Sequence, residues 1–528
     1  MTDRKFKIEA TWRDSFSISD QDIESLFQLF VKENRPLSST ELTRALIEHY
    51  CQQERALVRR NLSGGAVYRP NGTFAVGETL IFPHLNFAKG IVRDVREGNN
   101  PEYGDFRVIT AEINREKREF AAELKVEHKL AFADDVSFEE MFAPAPETVY
   151  EKQGDVIKAK IEARLNQGTG FALFRSKWMA VDLMAEVSVG YLNLAEAVLE
   201  IQDKPLNTES ILPQLGLPSE IPLLIRIFSL NYHLARDDRF TDVGANGEPL
   251  WGLRRWLPQA VISPPDWLNY TPIPYDRTKL DVTHLQLERE IDDEYSRLVA
   301  PPSVAEAPSM TLTLSCHHRR LGSLPLTDRT KTFFPAGTLE QRTQITFVDH
   351  QGKEFPGWVV HSHKLVYGLS EWYKEVPIPA GAYIKLEKTG NPNRVKVDVT
   401  PRRMRREWAP MIVQTAEGRL EFQMQKVPIV CEYDEAALLE IDPQLAEVVW
   451  KSERTHQNRS LEEVIQHVFL EIAKLSSHGT VHAKTLYNGV NIIRRCPPGR
   501  IFATLFELPH FVLVEGASWM FNQSVLTN

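Results

Sequence analysis

Four arginines fall within five positions, Arg402, Arg403, Arg405 and Arg406, in the run RRMRR that leads straight into Glu407 and Trp408. A guanidinium fork matches the paired oxygens of a phosphate, so this spacing reads as an arm for a phosphate backbone; the plainer reading is a solvated charged face. From Leu314 to Trp408, 16 Lys and Arg stand against 9 Asp and Glu, a net of +7. The whole chain carries −9, which leaves −16 for the rest. A basic block inside an acidic chain directs a polyanion to one segment. Arg329, Lys331 and Arg342 sit on or before the first strand of that block, and His361, His363 and Lys364 fall at the end of the next. These ten residues are the candidate DNA contacts.

Catalytic patterns are sparse. Glu123-Leu-Lys125 and Glu127-His-Lys129 follow Asp105 in the order that magnesium-dependent nucleases use, but Glu-x-Lys is common by chance and FAAELKVEHKLAF also reads as a charged linker or exposed strand. Gly352-Lys353 is followed by Glu354 and lacks the upstream glycine of a phosphate loop, and neither GxSxG nor HExxH occurs. His361 and His363 alternate onto one face if they lie on a strand, but no third metal ligand is near them in sequence. His317 and His318 would point to opposite faces of a strand and chelate poorly. No metal, cofactor, small-molecule ligand or enzymatic activity is therefore expected. Trp358, Trp372 and Tyr373 read as core and not as base-stacking platforms.

The elements that position these residues are short and varied. At 528 residues, 42% hydrophobic and 25% charged, the chain reads as several globular domains. Four separated cysteines, Cys51, Cys316, Cys431 and Cys496, suit a reducing compartment and offer no zinc-ligand spacing. MTDRKFKIEA has no apolar run behind its basic residues, and IPLLIRIF is broken by Arg226, so a cytoplasmic protein with no membrane partner is expected. Ile23, Leu26, Phe27, Phe30 and Val31 form one helical stripe, with Ser19 and Asp22 at its start. Ser38 and Glu41 make a capping-box pattern for a second helix. Between Val67 and Ile113 the period becomes two, in the short runs VYRP, ETLIF, KGIVRDV and FRVITAEI, which predicts a small barrel or twisted sheet.

Two later stretches share an order. Helical pattern at Leu194, Ala197, Val198 and Ile201 is followed by PLNTESIL, by IPLLIRIFSLNYHLA and by a hairpin from RFTDV and PLWGL. At the C-terminal end, Ser460 and Glu463 cap a stripe running to Leu475, followed by GTVHAKTLYNGVNII, PPGRIFATLFEL and the hairpin FVLVEGASWMF. PLSSTELTRAL fits the second-helix slot near the N-terminus, with no clear wing after it. These segments resemble HARE-type winged-helix modules, which bind DNA or act as protein scaffolds. The VGE strand start and KGIV strand resemble the KOW or Tudor class of small barrels. After the linker VAPPSVAEAPSM, the layout RTQITFVDHQGKEFPGWVV…GLSEWYKEVPIPAGAYIKLEK resembles the pseudobarrel DNA-binding domain of plant auxin-response-type factors, which also serves as the effector domain of some restriction endonucleases.

The expected fold is thus multidomain α+β: repeated winged-helix modules, a small β-barrel and a DNA-binding-type β pseudobarrel. Expected divisions are a helical module at 1–62, the small barrel at 63–145, a winged helix at 146–300, the basic pseudobarrel at 312–408, and a β segment with a terminal winged helix at 409–528. The expected function is a non-enzymatic DNA-binding, transcription- or chromosome-associated factor whose acidic modules bind RNA polymerase or another protein complex. Alternatives are a DNA-targeting subunit of a restriction or antiviral defence complex, and a protein scaffold without nucleic acid.

Overall fold

The computed structural model describes residues 17–523 apart from 101, 103, 127, 129–144, 246, 297, 300–306, 338–341, 416–419, 443–444 and 450–458. The architecture is mixed α and β, with several small sheets and one curled seven-stranded half-barrel. Two compact units divide the chain, Met1–Val187 with Gly216–Tyr232, and Ser188–Leu215 with His233–Asn528. The division passes through the 146–300 span.

In the first unit, Ser19 and Asp22 close a capping box on α1 (Asp20–Glu33), and Ser38 and Glu41 close another on α2 (Ser39–Leu62). Each box satisfies otherwise orphaned backbone N–H groups at the helix start. The two-residue strand β1 (Leu37–Ser38) joins them. A five-stranded sheet follows: β2 (Ala66–Val67), β3 (Thr79–Phe82), β4 (Ala88–Glu97), β5 (Arg107–Ile113) and β6 (Glu116–Ala122), in that order across the sheet. β6 has no ladder back to β2, but Glu123 and Leu124 donate to the carbonyls of Gly72 and Pro70, which curls the far edge toward the β2–β3 connection.

The chain then returns to helix in α3 (Pro146–Asn166) and makes the hairpin β7 (Phe171–Phe174) and β8 (Lys177–Ala180). β8 pairs with β1 through Leu37 and Trp178, and the Trp178 indole donates to Ser39 Oγ at 3.0 Å inside the core. The first helical module therefore does have a hairpin. It was missed in the sequence because the five-stranded sheet is inserted between α2 and α3.

The second unit opens with α4 (Val189–Gln202), β9 (Leu206–Asn207) and α5 (Thr208–Ile211). α6 (Leu223–Leu234) crosses the division, and its Ile225 and Phe228 belong to the first unit's core. The hairpin β10 (Phe240–Asp242) and β11 (Leu250–Leu253) follows, with β11 paired to β9. After α7 (Val282–Ile291) comes the half-barrel. Its elements are β12 (Ser309–Thr313), α8 (Cys316–Leu321), β13 (Ser323–Pro325), β14 (Arg342–Val348), β15 (Glu354–Val360), β16 (Leu365–Tyr367), α9 (Ser370–Glu375), β17 (Tyr383–Lys388) and β18 (Arg394–Val399). The strand order is β12-β17-β18-β14-β15-β16-β13, with β14 and β18 parallel and the other neighbours antiparallel. Trp372 and Tyr373 lie in its core, and Trp358 packs on the other face of the sheet among Val243, Leu257, Val261 and Trp267. None of the three is a stacking platform.

The half-barrel ends at Val399. The next strand, β19 (Pro401–Gln414), runs through position 408 and pairs with β20 (Leu420–Cys431) and β21 (Glu440–Ile441) in a separate sheet. The last module comprises α10 (Leu461–Ala473), β22 (Thr480–His482), α11 (Ala483–Ile493), α12 (Pro498–Glu507), β23 (Phe511–Glu515) and β24 (Ser518–Phe521). Helix, short strand, helix, helix, hairpin thus recurs three times along the chain. In each case the second hairpin strand pairs antiparallel with the short strand, as β8–β1, β11–β9 and β24–β22.

Candidate nucleic-acid interface

β19 and β20 form a long two-stranded ribbon held at two points. Ile412 and Phe422 enter the core of the last module, while Ala409 and Ile429 pack on Leu438. Above these anchors the register breaks. Pro401 faces Cys431 and Arg405 faces Ile429, so three residues of β19 stand against one of β20. A bulge of this kind twists the strand and re-aims its side chains. Arg402, Arg403, Met404, Arg405 and Arg406 are all exposed. Arg402 reaches Glu407 at 3.5 Å, whereas Arg403, Arg405 and Arg406 have no ion-pair partner among the described residues. The run follows directly on β18 and itself forms the start of the next strand, β19.

Strand alternation adds two residues that sequence reasoning passed over. Arg406 and Trp408 share a face, and Lys426 stands directly opposite Trp408 with its ammonium 5.2 Å from the indole ring. Trp408 is 59% exposed, unusual for the largest apolar side chain, and Met424 on the same face is 39% exposed. The signal available in the sequence was the i, i+2 spacing of Arg406 and Trp408; Lys426 required the register. Cations for phosphate beside an open aromatic face for a base or sugar is a combination that nucleic-acid surfaces use.

The other candidates are engaged elsewhere. Arg329 lies 3.5 Å from Asp292 and donates to the Arg289 carbonyl, Lys331 pairs with Asp328 at 2.7 Å, and Arg342 at the start of β14 donates to the carbonyl of Val261. His361, His363 and Lys364 occupy the turn between β15 and β16 and not a strand face. Burial lowers the His361 pKa; burial and then the Arg342 charge lower that of His363, so both imidazoles resist the charged form that would favour phosphate. His363 Nδ1 lies 2.9 Å from the Tyr367 hydroxyl, and Lys364 extends over the Tyr295 ring and to the Glu294 carbonyl. The structure therefore does not gather all ten residues into one free surface; the arginine run is the part left open.

Only part of the nuclease pattern lies in the described residues. Glu123 adopts a left-handed backbone just past β6 and lies 3.7 Å from Arg107, while Lys125 and Asp105 are exposed; Glu127 and Lys129 lie outside the described residues. His317 and His318 are on the short helix α8, not on a strand, and both are buried with ring centroids 4.3 Å apart.

The third helix of the last module is closed off. Pro498 to Leu505 are buried, Gly499 faces the Tyr275 hydroxyl and the Glu288 carboxylate, and Arg500 is held by Glu462 and Glu507 at 2.6 and 2.9 Å. No helix among the described residues is long and apolar enough to cross a membrane. No family model, curated protein or solved structure matches the chain.

Proposed function

We propose that the protein is a non-enzymatic DNA-binding factor, associated with transcription or chromosome organisation, that holds nucleic acid on the β19–β20 ribbon. The observation that carries this reading is the bulged, solvent-facing run Arg402–Arg406 beside Trp408 and Lys426, in the basic part of an acidic chain. Guanidinium forks supply the phosphate contacts, and the indole supplies a sequence-tolerant apolar face. The thrice-repeated helical module supports a winged-helix assignment, and the curled seven-stranded sheet supports the pseudobarrel one. Because α12 is covered, the last module acts in this reading as a protein scaffold and not as a groove reader, consistent with acidic modules that bind protein partners.

Fluorescence anisotropy with a labelled duplex and a labelled single strand tests the proposal. Wild-type protein should bind at low salt, and Arg402, Arg403, Arg405 and Arg406 all changed to Ala should weaken both complexes at least tenfold. Trp408→Ala should weaken the single-strand complex by ~1–3 kcal/mol, the range for loss of one stacked base. Absence of binding by wild-type protein at low salt would overturn the DNA reading in favour of a protein scaffold.

A further inference from the structure

Glu294, His317 and His318 are 5%, 2% and 3% exposed, and one ligand atom from each lies within 4.8 Å of the others. Glu294 follows the left-handed residue Asp292 that ends α7, while the histidines occupy the first turn of α8. Glu294 Oε2 is 3.1 Å from His318 Nε2 and 4.0 Å from His317 Nε2. Tetrahedral zinc with bonds of about 2.0–2.2 Å to nitrogen and oxygen sets its donors roughly 3.3–3.5 Å apart, so small side-chain shifts bring all three into range.

The surroundings orient these atoms as second-sphere partners orient metal ligands. Ser323 Oγ lies 2.9 Å from His318 Nδ1, which leaves Nε2 turned toward Glu294. Arg495 holds Glu294 Oε1 at 2.8 Å and leaves Oε2 turned toward the imidazoles. Among the described residues His317 is short of partners: its buried Nδ1 has none, and its Nε2 has a 3.3 Å contact with Ser315 Oγ besides the distant carboxylate. The nitrogen on the side of Glu294 and Ser315 is Nε2, and its long contacts leave it available to a metal ion. Ser315 and Tyr487, which both neighbour His317, also line a small pocket with Glu290, Thr313 and Lys484.

Charge points the same way. Asp293 and Glu294 bring two carboxylates, Arg495 lies 2.6 and 2.8 Å from them, and the Tyr487 hydroxyl donates to Asp293. Two buried carboxylates thus share one guanidinium, and Glu294 Oε2 is the oxygen left for a bound cation.

We propose that Glu294, His317 and His318 form a tripodal site for a divalent transition metal, zinc in the first instance, with Ser315 Oγ or water in the fourth position. The metal ties the chain after α7 to the start of α8. Through Arg495 it also braces the last module, so its role is structural.

The test uses untagged full-length protein purified without chelator. Elemental analysis should give about one zinc per chain, and the stripped protein should take up Co2+ with the visible d–d absorption of a tetrahedral site. Ser323→Ala, which keeps all three ligands, should lower zinc affinity about 10–100-fold in a chelator competition. His317→Ala and His318→Ala should lose the metal. Because ligand variants risk misfolding, the wild type supplies a second readout: stripping should lower its melting temperature and one equivalent of Zn2+ should restore it. Stripped wild type that binds neither Zn2+ nor Co2+ overturns the proposal, as does a folded His318→Ala variant that retains a full equivalent.

Discussion

The Arg495 side chain has no exposed surface and pairs with both Asp293 and Glu294, while Arg406 is exposed and has no ion-pair partner among the described residues. The two arginines should therefore respond oppositely to truncation. Arg495→Ala strands two buried carboxylates and should cost ~3–5 kcal/mol in urea unfolding, whereas Arg406→Ala should stay within about 0.5 kcal/mol of wild type. Equal stability of the two variants would contradict this account. The sequence made only one of them visible. Arg406 announces itself by clustering, while Arg495 sits in IIRRCPP with nothing to show that two carboxylates some two hundred positions upstream meet it. Glu294 was hidden from the two histidines for the same reason: the contact is made by tertiary structure, not spacing.

Local elements were more legible. The capping boxes at Ser19, Ser38 and Ser460 form as their sequence patterns imply, since each depends on residues three apart. The two later helix and hairpin orders were visible as well. What failed was the assumption that a module is contiguous, because an inserted sheet hid the β7–β8 hairpin. CHHRRL was weighed as a chelate only for the case of a strand, and six residues are too few to show the helical period that it adopts. α12 offers a test at this scale. A Cβ on Gly499 would meet the Tyr275 hydroxyl at 2.1 Å and Glu288 Oε1 at 2.7 Å. Overpacking of this kind costs ~1–3 kcal/mol, so Gly499→Ala should lower the unfolding midpoint despite the better helix propensity of alanine. An unchanged or raised midpoint would mean that α12 is open and available to DNA.

For the whole molecule, the net charge of −9 conceals the +7 of residues 314–408, and the structure divides that block further. Several of its cations are engaged within the chain, as at Arg329, Lys331 and Arg342, whereas Arg403, Arg405 and Arg406 on β19 are exposed with no ion-pair partner among the described residues. Charge counting located the right segment but could not separate paired cations from free ones. The most direct test is therefore the salt dependence of DNA binding. Each phosphate contact releases condensed counterions, so log K falls with log salt at a slope of about −0.9 per contact on duplex. Changing Arg402, Arg403, Arg405 and Arg406 to Ala should flatten the slope by roughly two to four units, equally for unrelated sequences. Changing the same four to Lys should recover most of the slope but less of the affinity, because an ammonium lacks the fork. A folded quadruple Ala variant that keeps the wild-type slope would contradict the account, since the ribbon would then make no phosphate contact.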